Sequence, residues 1–189
     1  MTSDVVTKPE WRQHMKAVRR TASLPGSRAD QLLTHLNSLP LWRSANVIAS
    51  YRAIKDELDV TAIDLYALES GKNVVYPAVV GSGLMEFRVW SRDEPLKEGQ
   101  LGLHEPGVEA EVVPVEQIDF FLIPLLACDA RGYRLGYGGG YYDRALAGAR
   151  GFRCGVGYGD QYVQSLPAER HDQRLDAFLS ERGIIKFHR

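Results

Sequence analysis

The chain has 189 residues, 44% hydrophobic and 25% charged, and a formal net charge of -1, which suits one domain with a real core and argues against a dedicated nucleic-acid binder. No apolar run approaches the roughly 18 residues of a membrane span, and the first residues lack the basic and apolar regions of a secretory signal. Cys128 and Cys154 form neither a C-x-x-C pair nor a zinc spacing, so they read as small core residues in a reducing, cytoplasmic chain.

Thr7-Lys-Pro-Glu10 is a helix start: Thr7 caps, Pro9 fits the first turn and Glu10 closes a capping box. Trp11, Met15 and Val18 form its apolar stripe. Lys8, Arg12, Lys16 and Arg20 recur every fourth residue as a basic ridge on another face. Pro25 and Gly26 end this helix, and Ser27 caps a second one that turns Leu32, Leu33 and Leu36 inward. Val47-Ile-Ala-Ser-Tyr51 is a buried strand. Asp59 caps a helix through about Glu69, ended by Gly71. Asn73-Val-Val-Tyr-Pro77 is a second strand, and residues 84–90 alternate like a half-exposed strand or hairpin arm. Residues 92–107 form a loop rich in Gly, Pro and charge. Phe120-Phe-Leu-Ile-Pro-Leu-Leu-Ala127 predicts a central strand covered on both faces.

Residues 141–149 then read as a helix, and residues 154–158 as a short strand. Residues 177–187 read as a closing hairpin with Gly183 in the αL conformation. Helices alternating with short apolar strands predict an α/β fold over residues 1–189. It is a single domain with an open, mostly parallel sheet flanked by helices and a C-terminal hairpin.

The densest signal is Arg134-Leu-Gly-Tyr-Gly-Gly-Gly-Tyr-Tyr-Asp-Arg144. Ten of the 18 glycines fall between Gly132 and Gly159. Gly136, Gly138, Gly139 and Gly140 lie between a buried strand and a helix start, where glycine permits φ > 0 and close approach of backbone N–H groups to an anion. The Walker pattern fails because no Lys-Ser/Thr follows. The dinucleotide pattern fails because Tyr141 stands where its third glycine belongs. Tyr141 and Tyr142 offer aromatic faces for a flat heterocycle, and Asp143 is an oxygen ligand suited to magnesium on a nucleotide. A mobile glycine-rich surface loop is the bland alternative.

On these residues the chain resembles the 5-formyltetrahydrofolate cyclo-ligase (methenyltetrahydrofolate synthetase) family. Lys8-Pro-Glu-Trp-Arg12 resembles its opening Lys-x-x-x-Arg, and residues 51–59 its strand followed by an acidic turn. Pro124-Leu-Leu-Ala-Cys-Asp129 resembles its Pro-x-x-Ala-Phe-Asp. Residues 134–144 resemble its signature loop, and residues 166–172 its late Pro-x-x-x-x-Asp.

The resemblance implies conversion of 5-formyltetrahydrofolate to 5,10-methenyltetrahydrofolate with ATP and Mg2+, through a phosphorylated N5-formyl group. No covalent protein intermediate is implied. It assigns Lys8, Arg12 and the loop Arg134, Leu135, Gly136, Tyr137, Gly138, Gly139, Gly140, Tyr141 and Tyr142 to ATP. It assigns Arg52, Glu57, Tyr137, Gly138, Gly139, Gly140 and Tyr141 to the folate, and Asp143 and Asp172 to the metal. Some members carry basic residues in the loop interior where this chain has Tyr137 and Gly139. That shifts the γ-phosphate toward backbone N–H groups, Lys8, Arg12 and Arg134. Cys128 replaces an aromatic, a packing change.

His104 and His171 lack a second histidine at ligand spacing and are expected to be non-catalytic. The expected partner is a small-molecule folate, with no nucleic acid, no membrane and no obligate protein; a monomer suits this. The rival reading is a non-catalytic module that binds nucleotide or folate. A related phosphotransfer and RNA binding through the basic ridge are further alternatives.

Overall fold

Strands bury alternate residues on opposite faces, and this period of two divides the apolar residues of the chain between two cores. The computed structural model describes residues 7–23 and 28–188. The expected Pro25-Gly26 break and Ser27 cap lie outside the described residues. In chain order the elements are α1 (Lys8–Ala22), α2 (Ala29–Asn37), α3 (Pro40–Ser44), β1 (Val47–Ala49), α4 (Thr61–Glu69), β2 (Asn73–Gly81) and β3 (Leu84–Trp90). Then come β4 (Lys97–Glu98), β5 (His104–Glu105), β6 (Val112–Val113), β7 (Phe120–Pro124), β8 (Ala127–Asp129) and β9 (Arg134–Leu135). The last are α5 (Tyr141–Leu146), β10 (Phe152–Val156), β11 (Tyr162–Val163), β12 (Ala177–Ser180) and β13 (Gly183–Lys186).

The main sheet runs β13-β12-β10-β7-β1-β2-β3-β6. Its centre, β12-β10-β7-β1-β2, is parallel, and its edges are antiparallel hairpin strands. This is the expected open, mostly parallel α/β sheet with a C-terminal hairpin. Phe120 and Leu122 of β7 face Trp42, Leu32, Leu36 and Ile63 of the helices on one side. Phe121 and Ile123 face Leu146 of α5 and Phe178 on the other. A third cluster joins Met15 of α1 to Leu126, Ala127 and Leu135. Among the described residues no helix is long and apolar enough to cross a membrane.

Several expectations are corrected. The apolar run 120–127 is not one strand. β7 ends at Pro124, which has no N–H for a ladder, and the Leu126 N–H turns to the Leu135 carbonyl (2.7 Å), carrying β8 into a second sheet, β11-β8-β9. The stretch 92–107 is not structureless, because β4 and β5 pair within it. It folds back onto β3, where the Pro106 carbonyl accepts from Arg88, so Arg88 is buried and the expected alternation fails. The helix α5 stops at Leu146, short of residue 149. Gly183 has φ +136°, outside the αL basin. The helix α3 was not foreseen.

One buried polar pair ties α4 to the sheet. The Tyr76 hydroxyl on β2 donates to Asp64 Oδ2 at 2.7 Å. Burial raises the Asp64 carboxyl from 3.8 to about 7, against the opposing pull of its hydrogen bonds. The folded state therefore holds a proton that the unfolded chain has released between pH 3.8 and about 7. The stability owed to this group is full below that window and is lost as pH rises through it. Urea denaturation should show wild-type stability falling relative to Asp64→Asn from pH 4 to pH 7. Parallel pH profiles would mean that Asp64 does not titrate there.

Candidate active site

The capping box fixes where helix α1 begins: Glu10 accepts from the Thr7 backbone N–H at 2.7 Å, and so places Lys8 in the first turn. From there α1 runs beside the glycine loop. Lys8 Nζ contacts both Asp172 oxygens (3.0 and 2.8 Å) and Glu169 (3.1 Å). Arg12 Nε donates to the Gly136 carbonyl at 2.9 Å. Lys16 Nζ lies 5.7 Å from the centre of the Tyr137 ring. The basic ridge then departs from the period-four expectation, because Arg20 is exposed and Arg19 is buried. At 100° per residue Arg19 returns to within about 20° of Lys8, while a row of fourth residues drifts away. Arg19 NH2 donates to the Tyr137 hydroxyl, and NH1 lies 3.5 Å from Glu57 Oε1. Sequence reasoning missed Arg19; its helical angle relative to Lys8 was the available signal.

Glu57 sits in the loop between β1 and α4, after Lys55 in a left-handed conformation (φ 52°). Its Oε2 accepts the Ile54 N–H at 3.0 Å, so the turn holds the carboxylate. Burial pushes the Glu57 carboxyl above its usual range; the Ile54 N–H and Arg19 oppose this. Tyr142 has a buried hydroxyl without a hydrogen-bond partner among the described residues. Burial, then the charge of Glu57, raises its phenol pKa. Arg52 is the exception among the expected residues. It donates to Thr61 Oγ1 at 2.7 Å and lines a cleft with Trp90, Arg92 and His104, which no residue of the glycine loop lines.

The loop itself is held from below. Arg134 donates to the Gln173 carbonyl (2.6 Å) and to Asp143 Oδ1 (2.8 Å). The Gln173 N–H also donates to Asp143 Oδ1, at 3.0 Å, which brings Asp143 and Asp172 to one end of the site. Leu135 is buried in β9. Gly138 and Gly140 have φ +104° and +67°, values that favour glycine. Arg144 bonds the Gly83 carbonyl (2.6 Å) and the Gly139 carbonyl, tying the loop to the β2–β3 turn, and its guanidinium lies 5.7 Å from the Tyr141 ring centre.

Lys8 and Asp172 are both partly desolvated, which disfavours each charge. Their mutual hydrogen bonding outweighs it, so the Lys8 pKa is raised and the Asp172 pKa lowered. His171 is exposed beside Glu169, and His104 lies in the Arg52 cleft. A larger surface cavity opens at the amino ends of the parallel strands, lined by Glu116, Asp119, Arg150 and Asp176, and holds none of the expected site residues. In open α/β sheets ligands bind outside the carboxyl ends, and the Glu57 loop follows the carboxyl end of β1.

The fold is an open, mostly parallel α/β sheet with an acidic loop at the carboxyl end of β1 and a glycine loop held beside a cationic helix. The 5-formyltetrahydrofolate cyclo-ligase family model matches residues 4–181. The 5-formyltetrahydrofolate cyclo-ligase of Haemophilus influenzae is 32% identical over 160 residues, covering 81% of this chain and 86% of that protein. That of Escherichia coli K12 is 30% identical over 175 residues, covering 88% and 96%. The NMR structure of Aquifex aeolicus 5,10-methenyltetrahydrofolate synthetase aligns with TM-score 0.79 at 31% identity, covering 96% of this chain and 93% of that one. The chain belongs to the 5-formyltetrahydrofolate cyclo-ligase family.

The loop geometry separates two glycines. A Cβ on Gly138 would stand 3.1 Å from the Arg12 guanidinium at positive φ, whereas a Cβ on Gly136 meets nothing within 4 Å. Gly138→Ala should lower the unfolding free energy by about 1–3 kcal/mol; Gly136→Ala should leave it within about 0.5 kcal/mol of wild type. Chemical denaturation of both variants measures the difference. Equal stabilities would remove the strain argument.

Proposed function

We propose that this enzyme converts 5-formyltetrahydrofolate to 5,10-methenyltetrahydrofolate with ATP and Mg2+, giving ADP and phosphate. The observation that carries the reading is the pairing of Lys8 with Asp172 and of Arg134 with Asp143 beside the glycine loop. Two carboxylates and two cations neutralise one another where a nucleotide and its metal would separate them.

The donor set suits the metal. Asp143 and Asp172 offer oxygen only, as hard Mg2+ prefers. One or two carboxylates suffice for an ion that keeps its waters and takes phosphate oxygens. An all-protein cage of three or more His, Cys, Asp or Glu is absent among the described residues. Bound Mg2+ would neutralise charge on the phosphates. Lys8 and Arg134 turn to those phosphates as point and fork donors, while the N–H groups of residues 136–140 line the loop. Glu57 accepts from pterin N–H groups. The Tyr141 ring offers an apolar face for a heterocycle.

The formyl oxygen is a poor leaving group, and phosphorylation makes it a good one. N10 then attacks the activated carbon, and phosphate departs as the ring closes. The side chains contribute positioning and charge stabilisation rather than a covalent bond.

Purified protein should form the methenyl chromophore from 5-formyltetrahydrofolate only when ATP and Mg2+ are both present. Asp143→Ala should lower kcat/KM by about 100-fold or more, the loss expected when metal-borne charge stabilisation of several kcal/mol is removed, with its thermal melt still cooperative. Methenyl formation without ATP would refute the proposed reaction, and full activity in Asp143→Ala would take Asp143 out of the metal site.

A further inference from the structure

Arg19 stands outside the Lys8 and Arg12 pair, yet it is the most deeply buried guanidinium of α1, at 2% exposure. Four other cations around the loop have firm partners: Arg12 on the Gly136 carbonyl (2.9 Å), Arg134 on Asp143 (2.8 Å), Lys8 on Asp172 (2.8 Å) and Arg144 on the Gly83 carbonyl (2.6 Å), and Lys16 is exposed. Arg19 is under-bonded by comparison. Its contact with Glu57 is long, at 3.5 Å, and its Nε–H is buried without a hydrogen-bond partner among the described residues. Burying an unpartnered donor of a charged group is unfavourable. Arg19 is nevertheless held in place: the Tyr137 hydroxyl accepts from NH2, and the Tyr137 ring centre lies 5.4 Å from its guanidinium carbon. The loop interior, residues 135–140, carries no cation of its own.

We propose that Arg19 is a further catalytic residue, whose guanidinium donates to the oxygens of the phosphoryl group that the formyl oxygen accepts, with Tyr137 as its positioning residue. The proposal rests on the ligase reading. In that reading Glu57 takes the pterin and residues 136–140 take the nucleotide phosphates. Arg19 contacts Glu57 on one side and Tyr137 of the loop on the other, so it stands at the junction where substrate oxygen meets phosphorus.

The steps balance without an outside reagent. A lone pair of the formyl oxygen forms the new O–P bond, and the P–O bond to ADP breaks with its electron pair leaving on ADP. N10 then bonds the formyl carbon, the C–O bond breaks toward the phosphate, and the N10 proton ends on the released hydrogen phosphate. Nothing is oxidised or reduced. In both steps the phosphoryl oxygens carry the negative charge, as the group passes to the formyl oxygen and as it departs with it, and a planar guanidinium matches such oxygens in pairs.

The test compares wild type with Arg19→Ala, Arg19→Lys and Tyr137→Phe in methenyl formation, with thermal melts and with calorimetric Kd values for 5-formyltetrahydrofolate and ATP. Arg19→Ala should lower kcat by about 100- to 1,000-fold, the usual loss for one donor aimed at developing charge. Both Kd values should stay within about threefold, since the interaction strengthens in the transition state. Free guanidinium ion in the millimolar range should restore part of that kcat. Tyr137→Phe should lower kcat by a smaller factor. A loss confined to the folate Kd, with wild-type kcat and no rescue, would mean that Arg19 only orients Glu57 and would overturn the proposal. Should Arg19→Ala fail to fold, Arg19→Lys decides: a kcat at least tenfold below wild type supports the proposal, and a wild-type kcat overturns it. Absence of turnover by the wild-type protein would overturn the ligase reading and this assignment together, whereas wild-type turnover with an unaffected Arg19→Ala overturns the assignment alone.

Discussion

A cation taken out of water must find partners, and helix α1 takes several of its cations out of water at once. Lys8, Arg12 and Arg19 point at protein, and the groups that answer them lie 164, 124 and 38 residues away. Local sequence cannot supply those partners. The late segment around Asp172, the glycine loop and the acidic turn after β1 must all come to the helix before its charges are satisfied. Closing these contacts and building the site are therefore one event. The capping box at Thr7 and Glu10 sets the phase of the helix, and so decides which face, and which cations, meet the loop.

The sheet makes that meeting possible. Five parallel strands send their following loops to one end, and Glu57 leaves β1 there. The opposite end is used for anchoring. Asp119 accepts from the N–H groups of Asn46 and Val47 at 2.8 and 2.9 Å, pinning the start of β1. Acidic residues thus stand at both ends, and Glu57 lies against Arg19, a buried cation whose Nε–H has no hydrogen-bond partner among the described residues. What sets the two acids apart is their partners, not their residue type.

This limits what could be read from residues alone. The continuously buried strand β7, the capping box, the inward leucines of α2 and the glycine loop were legible, because each depends on neighbours in sequence. The family resemblance pointed to Lys8, Glu57, Asp143 and Asp172, and the fold brings these four round the loop. Arg52 does not join them, since Thr61 draws it to the first turn of α4. The split of the apolar run 120–127 was hidden because Leu125 and Leu126, between the two sheets, are as buried as strand residues would be. Arg88 read as a surface residue because its cover, the segment ending at Pro106, is brought over it by tertiary folding. Arg19 was hidden by arithmetic: a row of fourth residues imitates a helix face over two turns and leaves it by the third.

The glycines of the loop acquire a second cause from the same contacts. Read alone, they leave backbone N–H groups free for phosphate. In the fold they also leave room for side chains arriving from elsewhere: a Cβ on Gly138 would stand 3.1 Å from Arg12, one on Gly140 2.9 Å from Arg144, and one on Gly139 2.7 Å from the Tyr141 ring. A loop crowded with its own cations could not accept these. Stripping the loop lets helical arginines reach it, and a guanidinium borne on a packed helix starts from a more fixed backbone than one borne on a glycine loop. Tyr137 is the one large side chain kept in the loop interior, and its hydroxyl and ring both face Arg19. The uncharged loop and the buried cation of α1 are thus two halves of one arrangement, in which the loop provides shape and backbone donors and the helix provides the charge.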